Sequence, residues 1–142
     1  VAYDVVTLNN FNRQVGSGLI GELPTPVSEQ EFLGTLKEKF NLSIIRHTRL
    51  LDKKVRKIAL CGGAGSFLIN AAISAGAVFY ITSDIKYHEF FDANNKLVVA
   101  DIGHYESEQF TGELLFDILR QKFPTFAVLK SGVKTNPVHY FL

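Results

Sequence analysis

The chain has 142 residues, 46% of them apolar and 20% charged, with 15 basic and 14 acidic side chains. That length and composition can offset chain entropy by burial, which argues against disorder and against a need for disulfide or metal staples. The near-neutral charge argues against an electrostatically driven nucleic-acid or membrane partner, and no apolar run reaches the ~18 residues of a spanning helix.

The first ten residues lack the basic start and apolar core of a signal peptide. Cys61 is the single cysteine, so no intrachain disulfide can form, and its place at the end of an apolar strand predicts a buried, inert thiol. A cytoplasmic location is the expectation. Met is absent, and Val1 stands first; the expectation is a piece of a longer protein.

In chain order, VAYDVVTL reads as a strand, and NNFNRQVGSGLIGELPTP, with three Gly and two Pro, as loop with short extended pieces. Ser28 and Glu31 have the spacing of a capping box, and Phe32, Leu33, Leu36 and Phe40 follow at helical intervals, predicting a helix over Glu29 to Phe40. LSIIRHT is a strand candidate, and Lys57 to Cys61 a short apolar strand. GGAG then opens a small-residue helix, FLINAAISA, with Gly76 as its stop. AVFYIT is the next strand, Asp84 the expected cap of a short helix IKYHEFFDA, and LVVADI a further strand. His104 to Phe123 reads as the longest helix, striped by Phe110, Leu114, Ile118 and Leu119 and stopped by Pro124. FAVLKS is a last strand before a tail. Apolar strands separated by helices predict one α/β domain over residues 1–142, layered, with a mostly parallel or mixed sheet, helices on both faces and right-handed crossovers.

Ligands of such sheets sit at the carboxyl ends of strands. Three strand ends carry polar residues: CGGAGS, TSDIKYH and DIGHYESE. Gly62, Gly63 and Gly65 between strand and helix could cradle a phosphate. The dinucleotide fingerprint fails at its third glycine, where Leu68 stands, although Asp84 lies about 20 residues on, where a ribose-binding acid would be. Otherwise these glycines make a tight turn, or a loop supporting another site. Asp84 and His88, four residues apart, can face the same way, and His88 could serve as general acid or base. His104 and Glu108 share one helix face at i, i+4 spacing, offering an imidazole nitrogen and a carboxylate oxygen suited to Zn, Mn or Fe. The plain alternatives are a helix cap at Asp84 and a solvated first turn at Glu108.

Together the strings CGGAGSF, YITSDIKYHEFFDA, DIGHYESEQF and TNPVHYF resemble, in the right order, the C-terminal half of the NIF-three-like proteins, also called GTP cyclohydrolase I type 2 homologues. The resemblance runs from Tyr3 to Tyr140. It implies two similar α/β lobes per subunit, a dinuclear metal centre in the cleft between them, and toroidal homohexamers. The family's C-terminal lobe supplies a His and a Glu four residues later, matched here by His104 and Glu108. Its remaining ligands, a His pair and an Asp, come from the N-terminal lobe, and this sequence has no such His pair. The resemblance therefore implies the second lobe of a longer protein, with an incomplete site for two divalent metals. AYDVVTLNN resembles the stretch where that lobe resumes after a PII-like insertion found in some members. Asp84, Tyr87 and His88 match a segment near the metal cleft, and Ser83 stands where members usually have Gly. The implied activity is metal-dependent hydrolysis of a nucleotide-like substrate, with His104 and Glu108 as ligands and Asp84 and His88 orienting or transferring protons. The competing expectations are a non-enzymatic regulatory or scaffold protein with structural metals, and a metal-free nucleotide-binding module using the glycine turn. Self-association is expected through Phe11, Leu19, Ile20, Tyr140 and Phe141.

Overall fold

The computed structural model describes residues 16–141. The strand expected in VAYDVVTL and the candidate surface residue Phe11 lie outside them. Five strands form one sheet in the order β1-β3-β4-β5-β2. They are β1 (Leu19–Ser28), β2 (Arg46–His47), β3 (Lys54–Ala64), β4 (Phe79–Ser83) and β5 (Val98–Asp101). β3, β4 and β5 are parallel, with Ile58 opposite Phe79 and Phe79 opposite Val98. β1 and β2 close the two edges antiparallel.

Alternate residues of the central strands feed two cores. Phe79, Ile81, Val98 and Ala100 face helix α1 (Glu29–Lys39), where Phe32 and Leu36 cover them. Phe32 meets Phe79 edge-on, with ring centroids 5.0 Å apart. Tyr80 and Val99 point the other way, into a core with Ile69 and Ala72 of helix α2 (Ile69–Ser74), Ile85 and Ala93. Strands buried on both faces read as continuous apolar runs, and the expected mixed α/β sheet with helices on both faces is what forms.

At the start of α1, Ser28 Oγ accepts from the Glu31 amide at 3.2 Å, as its spacing predicts. Gly76, at φ +74, follows α2 as the expected stop. Cys61 is buried and free.

The strand expected over LSIIRHT shrinks to the two residues of β2, and β3 extends beyond Lys57–Cys61 and takes in Gly62 and Gly63. Four further elements depart from the sequence reading. Residues 19–28, expected as loop, are the edge strand β1. Pro24 and Pro26 fall between Glu22 and Val27, where the register with β3 shifts; an edge strand tolerates prolines because its outward N–H groups need no ladder partner. The expected long helix splits into α3 (His104–Glu108) and α4 (Thr111–Lys122). The break is pinned by Gln109, whose side-chain amide donates to the carbonyls of Phe40 and Glu106, and by Phe110, which packs edge-on against Phe40. No residue of α4 is buried, so its apolar stripe faces outward. FAVLKS forms no strand, and Leu129 is 91% exposed. Finally, Lys86 rather than Asp84 occupies the cap position of the 3-10 helix Tyr87–Ala93, with the Glu89 carboxylate accepting from the Lys86 amide. Among the described residues no helix is long and apolar enough to cross a membrane.

Candidate metal centre

The carboxyl ends of β3, β4 and β5 converge on α3, which packs against β3 and β4. Gly103, at φ +91, turns the chain out of β5 directly into His104. One helical turn later Glu108 lies on the same face, and His104 Nε2 stands 3.4 Å from Glu108 Oε2. From the end of β4, Asp84 reaches across: its Oδ2 lies 2.6 Å from His104 Nδ1. Asp84 adopts a left-handed φ of +56, which an Asp tolerates better than most residues. Freed from the cap, its carboxylate faces the imidazole instead.

This hydrogen bond is the main cause of a raised His104 pKa; the charges of Asp84 and Glu108 push the same way, while partial burial opposes them. All three side chains are about half exposed, so they meet solvent in an open cleft. The cleft measures about 1110 Å³ and is lined by Arg46, Asp84, His104, Glu108, Lys134 and Tyr140, among others.

The glycine turn supports this arrangement. At Gly63, φ is +66 and a Cβ would fall 2.5 Å from Glu108 Oε1 and 3.4 Å from His104 Cε1. A side chain there would occupy the space of the His–Glu pair. The Gly63 amide donates to Ser107 Oγ, and its carbonyl accepts from Thr82 Oγ1. The Gly65 carbonyl accepts from the buried Tyr80 hydroxyl, whose pKa burial pushes up to about 12. Through the Gly63 amide the turn holds Ser107, and with it α3.

The pair fits a divalent metal. Two donors at ~2.0–2.2 Å on a tetrahedral ion stand ~3.4 Å apart, the separation that His104 and Glu108 already show. A carboxylate on the far ring nitrogen fixes the tautomer that leaves Nε2 free to ligate, and Asp84 is in that place. Among the described residues no group of three or more His, Cys, Asp or Glu side chains is placed to hold a metal ion together: Asp84 faces the opposite ring nitrogen from Glu108.

His88 does not join the group. It is exposed on the 3-10 helix, packs edge-on against Tyr87 with centroids 5.2 Å apart, and lies outside the residues lining the cleft. Asp101 lies within the LVVADI segment. It is a buried carboxylate beneath the site, accepting from the amides of Ile85 and Gly103 and from Arg46. A charged residue closing the apolar run VVA was its signal in the sequence.

Residues 3–137 match the model of the Duf34/NIF3 family, NGG1p interacting factor 3. A Staphylococcus epidermidis protein named GTP cyclohydrolase 1 type 2 homolog is 32% identical over 146 residues, covering 97% of this chain and 38% of that protein. A protein of the same name from Halalkalibacterium halodurans is 32% identical over 140 residues, covering 96% of this chain and 38% of that protein. Among solved structures, a Bacillus cereus protein related to NIF3 superposes with a TM-score of 0.74 at 31% identity, over 89% of this chain and 36% of the other. The chain thus spans well under half the length of these relatives.

Proposed function

This chain belongs to the Duf34/NIF3 family, and we propose that it is the C-terminal, metal-binding lobe of a longer two-lobed protein, a metal-dependent hydrolase of a nucleotide-like substrate. The observation that carries the reading is the convergence of His104 Nε2 and Glu108 Oε2 at 3.4 Å with Asp84 on the opposite ring nitrogen. His104 and Glu108 are the residues of this chain that would hold the metal. The further ligands come from the part of the protein outside this chain, as its span of 38% of a relative's length supports. Bound there, divalent metal (Zn, Mn or Fe, two in the complete site) would supply Lewis-acid polarisation of a substrate oxygen and a lowered pKa of water.

This chain's own residues do the rest. Asp84 orients the imidazole and keeps its proton on Nδ1. Gly63 leaves room for the Glu108 carboxylate. The open cleft beside the pair is large enough for a nucleotide-sized ligand. The name of the relatives at 32% identity supports hydrolysis and a nucleotide-like substrate. His88 is kept as a proton-transfer candidate only for an assembly that brings it to the cleft. Self-association into a ring, homohexameric and cytoplasmic, belongs to the same reading, and the exposed apolar residues Leu19, Ile20, Leu114 and Phe141 support it.

A turnover assay of the full-length protein with Mn or Zn, across a panel of nucleotides, tests the activity. Metal-dependent release of product that His104→Ala abolishes is the expected result. Metal binding without turnover of any nucleotide would leave the scaffold role and remove the hydrolase.

A further inference from the structure

We propose that Asp101 is a positioning residue, a buried carboxylate that ties the Asp84 turn to the His104 turn and so sets the contact between these two side chains. The inference rests on the metal-site reading for its consequence, though not for its geometry.

Asp101 ends β5 opposite Thr82 of β4 and is only 4% exposed. Its two oxygens serve both strand ends at once. Oδ2 accepts from the amide of Ile85, the residue after Asp84, at 3.0 Å. Oδ1 accepts from the amide of Gly103, the residue before His104, at 3.1 Å. Arg46, itself 56% exposed, donates to Oδ2 and also to the Ile85 carbonyl, at 3.1 Å to the latter. Each tethered segment carries a residue of positive φ, Asp84 at +56 and Gly103 at +91. A non-glycine residue such as Asp84 holds a left-handed φ where surrounding contacts favour it, and charge-assisted hydrogen bonds to one buried carboxylate are strong restraints. Parallel pairing of β4 with β5 fixes where the strands end. It does not fix the turns beyond them, where Asp84 and His104 sit. The carboxylate supplies that second restraint.

The pattern also excludes a neutral substitute. Donors approach both oxygens of Asp101, whereas Asn has one acceptor oxygen and an NH2 group. In either orientation an Asn would turn N–H groups toward an amide donor and release one of the two turns.

The test compares Asp101→Asn with Thr48→Ala in the full 142-residue chain. Thr48 Oγ1 accepts from the Val99 amide of the same strand and touches neither turn, so it controls for a general weakening of β5. The first readout needs no metal: the nitrogen-15 spectrum of the His104 ring above its pKa. The wild type and Thr48→Ala are expected to show a single tautomer protonated at Nδ1. Asp101→Asn is expected to show a mixture. The second readout is calorimetric titration with Mn alone of the full-length protein carrying the same substitutions, in which Asp101→Asn should lose about 10–100-fold in affinity, the usual cost of removing an outer-shell partner. A folded Asp101→Asn chain with the wild-type tautomer would overturn the inference, as would equal losses in Thr48→Ala. If the wild-type full-length protein takes up no Mn, the metal reading fails, and the ring spectra still decide the role of Asp101. Should Asp101→Asn not fold, Arg46→Met decides: it leaves both amide ties in place and should keep the single tautomer, and a mixture there would overturn the proposal.

Discussion

His104 carries two partners on one ring, Asp84 at Nδ1 and Glu108 facing Nε2. Each stabilises the imidazolium, which is why its pKa lies above the ordinary 6.5. The sign follows from linkage. The pairing contributes stability fully below pH 6.5, and the contribution is lost as pH rises through the higher folded value. Metal binding runs the opposite way, since only neutral imidazole ligates: affinity should begin to fall at a pH above 6.5 as the solution is acidified. Asp84→Asn removes the main cause, so the His104 titration followed by NMR should move down toward 6.5. An unmoved titration would mean that Asp84 does not control the ring. Gly63 sets a second limit at this scale. Gly63→Ala must hold a Cβ at φ +66 and displace Glu108 Oε1 from 2.5 Å. A loss of about 1–2 kcal/mol from the backbone alone is expected in denaturant unfolding, with weakened metal uptake.

At the scale of elements, α1 is anchored by more than its apolar stripe. Glu29, in its first turn, is buried, and its carboxylate accepts from the amides of Leu51 and Asp52 at 3.0–3.1 Å. Glu29→Ala leaves those amides unsatisfied and should cost about 1–3 kcal/mol in urea unfolding; an unchanged midpoint would mean that water replaces the carboxylate freely. This tie joins residues 22 apart in sequence, and no local pattern announces it. The same distinction separates what was legible from what was not. Helix α1, strands β4 and β5 and the stop at Gly76 follow from caps and apolar runs, which act over a few residues. The His104–Glu108 pair was legible for that reason, being one turn of one helix. In the sequence Asp84 can be a helix cap or a site acid, because an Asp before a short helix usually caps it; its partner in the structure comes from another strand end, 20 residues away. The prolines of β1 suggested a loop because a sequence does not state which strand is an edge. The break between α3 and α4 depends on Phe40 lying beneath Gln109 and Phe110, a contact set by the packing of α1.

The whole molecule is unevenly finished. Its sheet is covered on both faces, yet α4 buries no residue, and Leu114 on it is 60% exposed. Contiguous apolar surface of this kind marks interfaces, so the isolated chain should self-associate in sedimentation at rising concentration, and a strictly monomeric species would count against the ring-forming reading. The proposed metal site is incomplete in the same sense. Two donors leave at least two coordination positions to water, and the free energy of binding scales with how many protein ligands are supplied together. His104 and Glu108 are nevertheless held at their ligating separation by one helix and by Gly63, without help from elsewhere. The isolated chain should therefore bind Zn or Mn weakly, and the full-length protein far more tightly, because the remaining donors meet a pair already in position. His104→Ala in the full-length protein should abolish tight binding. Calorimetric titration of both proteins checks this. Equal, tight binding by the two would show that the site needs no second lobe, and unchanged binding by His104→Ala would show that the metal lies elsewhere.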